Sequence, residues 1–318
     1  MNTKSTPVNP NATKEARDTL MFLAEHAGKS IITGQHTQTN DLREIKEIEK
    51  ITGSIPKLIG YEMLSYSPNI NYDGMSEECL REVTEAGGIL ERAREMAHKY
   101  DVITAICFHW FSPMGGRDKS FFSENTDYDT SRILIEGTPE REAFYRDMDK
   151  VAEELAVFRD ENIPVLWRPF HESEGKWFWW GRDGVDTARK LYLMMFDYFV
   201  NVKKLNNLLW VWSAPVKEGY PGDDYVDIVG WDLYTSEKVL TDYHEKYDKL
   251  VENTTGNRLA AITENGYLPD VDKLMESHTP WAFYMTWSVD FVMSEKFNTH
   301  EELKKMYDSD YAVKAKRL

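Results

Sequence analysis

Two carboxylates, Glu172 and Glu264, each follow a short apolar run and are each followed by a glycine-bearing segment. Around Glu172 the chain reads PVLWRPFHESEGKWFWWG, from Pro164 to Gly181. Val165-Leu166-Trp167 is apolar without alternation, as in a strand buried on both faces. Arg168, His171 and Glu172 then follow at once, and Trp177, Phe178, Trp179 and Trp180 come in a row between Gly175 and Gly181. Around Glu264, the run Leu259 to Thr263 leads into Glu264-Asn265-Gly266. A pair of facing carboxyls suits cleavage at an acetal carbon. One, kept protonated, gives its proton to the leaving oxygen, and the other attacks the carbon, at a separation of about 5–5.5 Å when configuration is retained. Proximity splits their pKa values, because ionising one disfavours ionising the other. Flat rings beside the acid offer a surface on which the apolar face of a sugar stacks. Two acids at strand ends are not distinctive among 54 acidic residues. The competing reading is a buried Glu172–Arg168 salt bridge beside an aromatic core cluster.

The elements that must position this pair alternate along the chain. Strands are expected at 29–34, 55–61, 102–108, 164–167, 208–212, 226–233, 259–263 and 281–286. Helices are expected at 12–26, 41–51, 77–100 with a break at Gly87-Gly88, 140–161, 187–205, 237–254 and 300–307. Thr138-Pro139 reads as the N-cap and first-turn proline of the fourth of these helices. Apolar strands alternating with helices mark a parallel sheet covered by helices, and eight such units in one chain fit an α/β, (β/α)8 TIM barrel. The expected organisation is one catalytic domain over residues 1–318, with 1–13 as a loose N-terminal extension. A doubly wound sheet is the alternative, but no G-x-G-x-x-G turn follows the first strand. Barrel active sites lie at the C-terminal strand ends. The residues there are Gln35, His36, Glu62, His109, Arg168, His171, Glu172, Ser213, Asp232, Tyr234, Glu264 and Trp287. Glu172 and Glu264 follow the fourth and seventh strands, well across the ring from each other. Loops 65–75 and 111–130 are long enough to be functional.

A net charge of −16 over 318 residues disfavours nucleic acid and anionic membrane surfaces as partners, since no basic patch would neutralise phosphates. A neutral substrate is compatible with it. No apolar run reaches 18 residues, so no membrane span is expected. The N-terminal MNTKSTPVNPNATKEA lacks an apolar leader core. The chain is then either cytoplasmic or begins after a removed signal. Cys79 and Cys107 read as unpaired thiols. No cluster has metal-ligand spacing, so neither a metal nor another cofactor is expected. The ten tryptophans all fall between positions 110 and 287 and mostly follow strand ends.

W-R-P-F-H-E, Trp167 to Glu172, followed by G-x-W-F-W-W-G, Gly175 to Gly181, resembles the hallmark of glycoside hydrolase family 26, mostly endo-β-1,4-mannanases. LLWVWSAP at 208–215, VDIVGWDLY at 226–234 and ITENG at 262–266 resemble the later strands of that family, so that the likeness runs from about Val8 to the C-terminus. It implies a (β/α)8 fold, a retaining double displacement, and a β-mannan polysaccharide or oligosaccharide as substrate. A secreted or periplasmic monomer is expected. Carried over by position, Glu172 is the general acid/base and Glu264 the nucleophile. His171 and Tyr234 orient the nucleophile, Trp177 lines the cleft, and Trp287 floors the −1 sugar site. His109 and Arg168 complete the polar shell. The third strand departs from members that read Trp-His. Either Phe108 replaces that tryptophan and His109 keeps its place, or Trp110 is its counterpart and the register differs by enough to turn a side chain to the other face. Ser288 departs from members with a larger polar residue after Trp287. Other specificities within the family, β-1,3-xylan or mixed-linkage β-glucan, and a non-catalytic glycan-binding barrel are the alternatives.

Overall fold

A computed structural model describes residues 3–318. Its strands are β1 (Ile31–Ile32), β2 (Gly34–Thr37), β3 (Leu58–Glu62), β4 (Ile103–Cys107) and β5 (Val165–Arg168), then β6 (Leu208–Trp212), β7 (Ile228–Leu233), β8 (Leu259–Asn265), β9 (Trp281–Thr286) and β10 (Ala312–Val313). From β2 to β9 each strand pairs in parallel with the next. The ring closes where Gln35 meets Thr286 and Ile32 meets Phe283. β1 and β2 are therefore two halves of the first barrel strand, broken at Thr33, and the barrel has eight staves. β10 lies outside, parallel to β1.

The helices are α1 (Lys14–His26), α2 (Arg43–Thr52), α3 (Glu77–Ala86), α4 (Ile89–Lys99), α5 (Thr130–Ile133) and α6 (Pro139–Asp160), then α7 (Val185–Asp197), α8 (His244–Asn253), α9 (Val271–Ser277), α10 (Asp290–Met293) and α11 (His300–Asp308). Gly87-Gly88 breaks α3 from α4, with Gly88 left-handed at φ 82°, a conformation costly to residues with a Cβ. Thr138 caps α6 and Pro139 opens it. α7 runs on into a π-turn, Tyr198–Val202. Residues 237–243, expected to be helical, precede α8 as irregular chain; α9, α10 and β10 were not expected.

Two apolar layers result. Leu58, Ile103, Leu166, Leu209, Ile228, Ala261 and Phe283 fill the barrel, and Ala16, Leu20 and Leu23 of α1 join them. The opposite strand faces pack against the helices. Residues 3–13 are not loose. Thr3–Ser5 forms a helical turn, Asn9 is buried, and its amide bonds Asn206 at 3.0 Å. The Val8 N–H donates to Asp227 at 2.7 Å, and Asp227 also accepts from the Trp210 N–H at 2.8 Å. The polar composition read as slack chain instead supplies the partners that seat it on the barrel. Asp227→Ala would strand both N–H donors, each loss being worth about 1–3 kcal/mol. Thermal denaturation should show a Tm several degrees lower, while a variant melting like wild type would mean that the extension docks by other contacts.

Candidate active site

Arg168, the last residue of β5, is the polar centre of the barrel mouth. Its side chain is 3% accessible. One nitrogen of the guanidinium donates to Asp232 at 2.9 Å and another to Glu264. The second also reaches Cys107 Sγ, at 3.2 Å. Asp232 is held from its other side by the hydroxyls of Ser213 at 2.8 Å and Thr263 at 2.7 Å. Glu264 receives a further hydrogen bond from the Tyr234 hydroxyl, 2.8 Å. Arg168 thus pairs with Glu264 and Asp232 rather than with Glu172.

Glu172 hangs from backbone bent away from the strand. Phe170 and Glu172 are left-handed, at φ 52° and 53°, a region sparsely used by residues with a Cβ. The Glu172 N–H donates to the Ser213 carbonyl at 2.9 Å, tying the bend to the neighbouring stave. Its carboxylate accepts the Trp177 indole N–H at 2.9 Å. A Cβ on Gly175 would meet the Trp177 ring at 2.2 Å, so the ring can lie over this backbone only above a glycine. Trp177 is 48% exposed. Trp179 and Trp180 are buried, and their indoles donate to the carbonyls of Trp110 and His171, at 2.6 and 2.8 Å. They brace the loop rather than line the cleft.

One oxygen each of Glu172, Asp232 and Glu264 lie within 4.8 Å of one another. Burial raises the proton affinity of Glu172, and the charge of Asp232 raises it further, to a pKa of about 7, against the opposing indole bond. Burial also raises Glu264, with Arg168 opposing and Asp232 and Glu172 reinforcing. Burial alone would favour the proton on Glu264, the more enclosed of the two. The donors decide otherwise. A full positive charge and a phenol O–H point at Glu264, whereas Glu172 receives one indole N–H. These donors support the ionised form on Glu264 better than on Glu172, which favours leaving the proton of the pair on Glu172.

His171 does not orient Glu264, contrary to the expectation. Its Nε2 faces His109 Nε2 at 3.2 Å, and its Nδ1 lies 3.9 Å from Cys107 Sγ. His109 Nδ1 donates to Glu62 at 2.7 Å. Since Glu62 fixes that proton on Nδ1, His109 Nε2 is an acceptor and His171 Nε2–H the donor to it. Burial and Arg168 keep His171 neutral. The second partner of Glu264, after Tyr234, is Arg168. His109 lies at the barrel mouth beside His171, and Trp110 turns into the core to bond Asp147 at 3.1 Å. Trp287 stacks on His36, with centroids 4.0 Å apart, and its carbonyl accepts from Gln35 at 3.0 Å. Tyr234 lies against Phe291 at 5.7 Å. Asp232 and Glu62 stand at strand ends in the sequence, but no motif role singled them out. The ligand-type atoms of His36, Glu62 and Cys107, and those of Cys107, His109 and His171, also lie within 4.8 Å of one another. Most of these atoms belong to the hydrogen-bonded chain just described.

Arg168→Met would leave Asp232 and Glu264 buried without a counter-charge, a loss of about 3–5 kcal/mol for a broken buried pair. Denaturant unfolding should record that loss. Carboxyl NMR titration should show Glu264 holding its proton to higher pH, and an unmoved titration would mean that Arg168 does not set its charge.

The glycosyl hydrolase family 26 model matches residues 8–317. A mannan endo-1,4-beta-mannosidase of Thermothelomyces thermophilus is 32% identical over 96% of this chain and 61% of its own length. One from a Piromyces species, mannan endo-1,4-beta-mannosidase A, is 30% identical over 95% of this chain and 49% of its own. The chain thus spans about half to three-fifths of the length of these two relatives. A solved beta-mannanase from a symbiotic protist of the termite Reticulitermes speratus, complexed with gluco-manno-oligosaccharide, superposes with a TM-score of 0.85 at 29% identity, covering 98% of this chain and 96% of that one. The GH26-CBM35 beta-(1,4)-mannanase of Podospora anserina gives 0.86 at 28% identity, covering 98% and 68%. With the family model spanning nearly the whole barrel and its motif residues gathered at the barrel mouth, this chain belongs to glycosyl hydrolase family 26.

Proposed function

We propose that this chain is a retaining endo-β-1,4-mannanase acting on mannan, galactomannan or glucomannan, with Glu172 as acid/base and Glu264 as nucleophile. The observation that carries the reading is the asymmetry of the pair. One oxygen of each carboxyl lies within 4.8 Å of the other, which suits the close pair of a retaining enzyme rather than the roughly 6.5–9.5 Å gap of an inverting one. Only Glu264 has a cation and a phenol donating to it. The relatives named as mannan endo-1,4-beta-mannosidases support the substrate.

In the first step Glu264 attacks the anomeric carbon from one face while Glu172 gives its proton to the departing glycosidic oxygen. The products are a glycosyl ester on Glu264 and a free chain end. In the second step the Glu172 carboxylate takes a proton from water, the water oxygen attacks the same carbon, and Glu264 leaves as carboxylate. Two inversions give net retention. Arg168 and Tyr234 hold Glu264 ionised before attack and receive it again as leaving group. Trp177 flanks the acid as a stacking surface, Trp287 floors the −1 sugar, and His109, fixed by Glu62, presents a ring at the cleft.

Glu172→Ala and Glu264→Ala should each cut hydrolysis of unbranched mannan by orders of magnitude, with the circular dichroism of the fold unchanged. Near-normal turnover in either would remove that residue from its role. NMR of the first product should show the β-anomer, and an α-anomer would exclude double displacement. The pH profile gives a further check. Turnover requires Glu172 protonated, so activity should fall above a pKa near 7. The Trp177 N–H stabilises the Glu172 carboxylate. Trp177→Phe should therefore move the alkaline limb to higher pH, by about half a unit for a hydrogen bond worth about 0.7 kcal/mol. A limb that stays put or moves down would show that the indole does not tune the acid.

A further inference from the structure

The long loop after β4 carries a second concave site that the mechanism does not use. It is a depression of about 290 Å³ at the surface, near the lower end, about 300 Å³, of small-molecule pockets. Met114, Gly116, Arg117, Asn125, Asp127 and Glu140 are among its lining residues. Glu140 Oε1 pairs with Arg132 at 2.8 Å, but Glu140 Oε2 is buried and accepts no hydrogen bond. This enclosed oxygen is an unmet acceptor in the wall, within reach of a ligand hydroxyl only where the wall gives way. Asp127 adds a second acceptor and Asn125 an amide, while Met114, 55% exposed, offers an apolar, adaptable surface.

Two ligand classes fit poorly. An anion would meet Asp127 and Glu140, and Arg117 is already donating to the Glu124 carbonyl. A metal ion would need a third close ligand. Among the described residues, the triads of His, Cys, Asp and Glu atoms close enough to share an ion include neither Asp127 nor Glu140. Neutral hydroxyls on an apolar ring match what remains.

The site is also wired to the cleft. The Ser123 N–H donates to the Trp177 carbonyl at 2.7 Å, and the Trp179 N–H to the Phe121 carbonyl at 3.0 Å. Arg182 donates to the Thr126 carbonyl at 3.0 Å, and Phe122 stacks on Phe178 with centroids 5.6 Å apart. The wall of the depression and the loop that presents Trp177 are thus one bonded unit.

The geometry points to a binding site for a single neutral pyranose unit of the polysaccharide, separate from the catalytic carboxylates. It rests on the mannan reading for the identity of the polymer. The pyranose comes either from a galactosyl branch or from a distant mannosyl unit of the backbone.

The test reads the site directly. In protein labelled at the methionine methyls, with Met114 assigned by Met114→Leu, methyl α-galactoside and methyl β-mannoside are titrated to about 100 mM. A saturable shift of the Met114 methyl is expected with at least one, and its loss in the Asn125→Ala/Asp127→Ala variant. No shift with either glycoside, or an undiminished one in the folded variant, overturns the proposal whether or not the protein cleaves mannan. KM then separates the sources. A three- to tenfold rise for the variant on galactomannan alone assigns a branch, and an equal rise on unbranched mannan assigns the backbone. Should wild type cleave both polymers and the variant raise neither KM, the site does not serve the substrate and the proposal fails while the family reading stands. Should wild type cleave neither, the mannan reading fails and the methyl titration alone decides the site.

Discussion

A guanidinium enclosed in the mouth of a barrel cannot stay charged without partners, and most of the site follows from how Arg168 is satisfied. Its side chain is 3% accessible, so the desolvation cost is met by two carboxylates at once, Asp232 and Glu264. One cation and two anions leave a net negative charge beside Glu172. Burial first, and the charge of Asp232 in that surplus second, raise the proton affinity of Glu172 to near neutrality. The Ser213 and Thr263 hydroxyls share the load on Asp232, leaving Glu264 the less encumbered of the two anions. Glu172 and Glu264 are thus differentiated by the charges and donors around them, not by any difference in side-chain chemistry.

Holding Glu172 at the right height costs backbone strain. Left-handed conformations at Phe170 and Glu172 are worth about 1–3 kcal/mol each. The bend is offset by bonds that a regular strand end would lack. The Glu172 N–H is tied to Ser213, and the carbonyl of the residue between the two bends, His171, accepts the Trp180 indole. The aromatic row after Glu172 therefore stabilises the turn that aims the acid. Loop 111–130 extends the brace through the Phe122–Phe178 stack.

The barrel was legible because parallel strands buried on both faces read as unbroken apolar runs, and eight of them alternate with helices. What escaped were elements without that signal. Gln35, His36 and Thr37 are polar yet fully within β2 and buried, so a strand read from apolar residues stops short of them. α9 and α10, of seven and four residues, are too short for helical periodicity to register. The catalytic candidates were legible through position and motif, their partners less so. His171 is adjacent to Glu172, but the left-handed backbone on both sides breaks the two-residue alternation, and its ring lands on His109 rather than on Glu264. Arg168, four residues before Glu172, reaches Glu264 across the mouth, a contact of separation 96 in the chain, which no local pattern encodes.

The tryptophans mostly serve a different end from the one their placement suggested. Their crowding at strand ends suggested sugar-stacking surfaces. Yet Trp110, Trp167, Trp179, Trp180, Trp210, Trp212 and Trp281 are among the fully buried side chains, and only Trp177 is largely exposed. Apart from Trp210, whose indole N–H has no partner, the buried ones bond carbonyls, a carboxylate or a sulfur with their indole N–H groups, as Trp110 does with Asp147 and Trp167 with Met195. Most of them lie in the apolar layer between the strands and the helices, where they stiffen the barrel wall. The proton affinity of the two carboxyls is raised by their burial at the barrel mouth, the same desolvation that makes the buried ion pair necessary. Aromatic density beside an acid therefore signals a braced wall first, and here one ring, Trp177, stays exposed while its N–H holds Glu172.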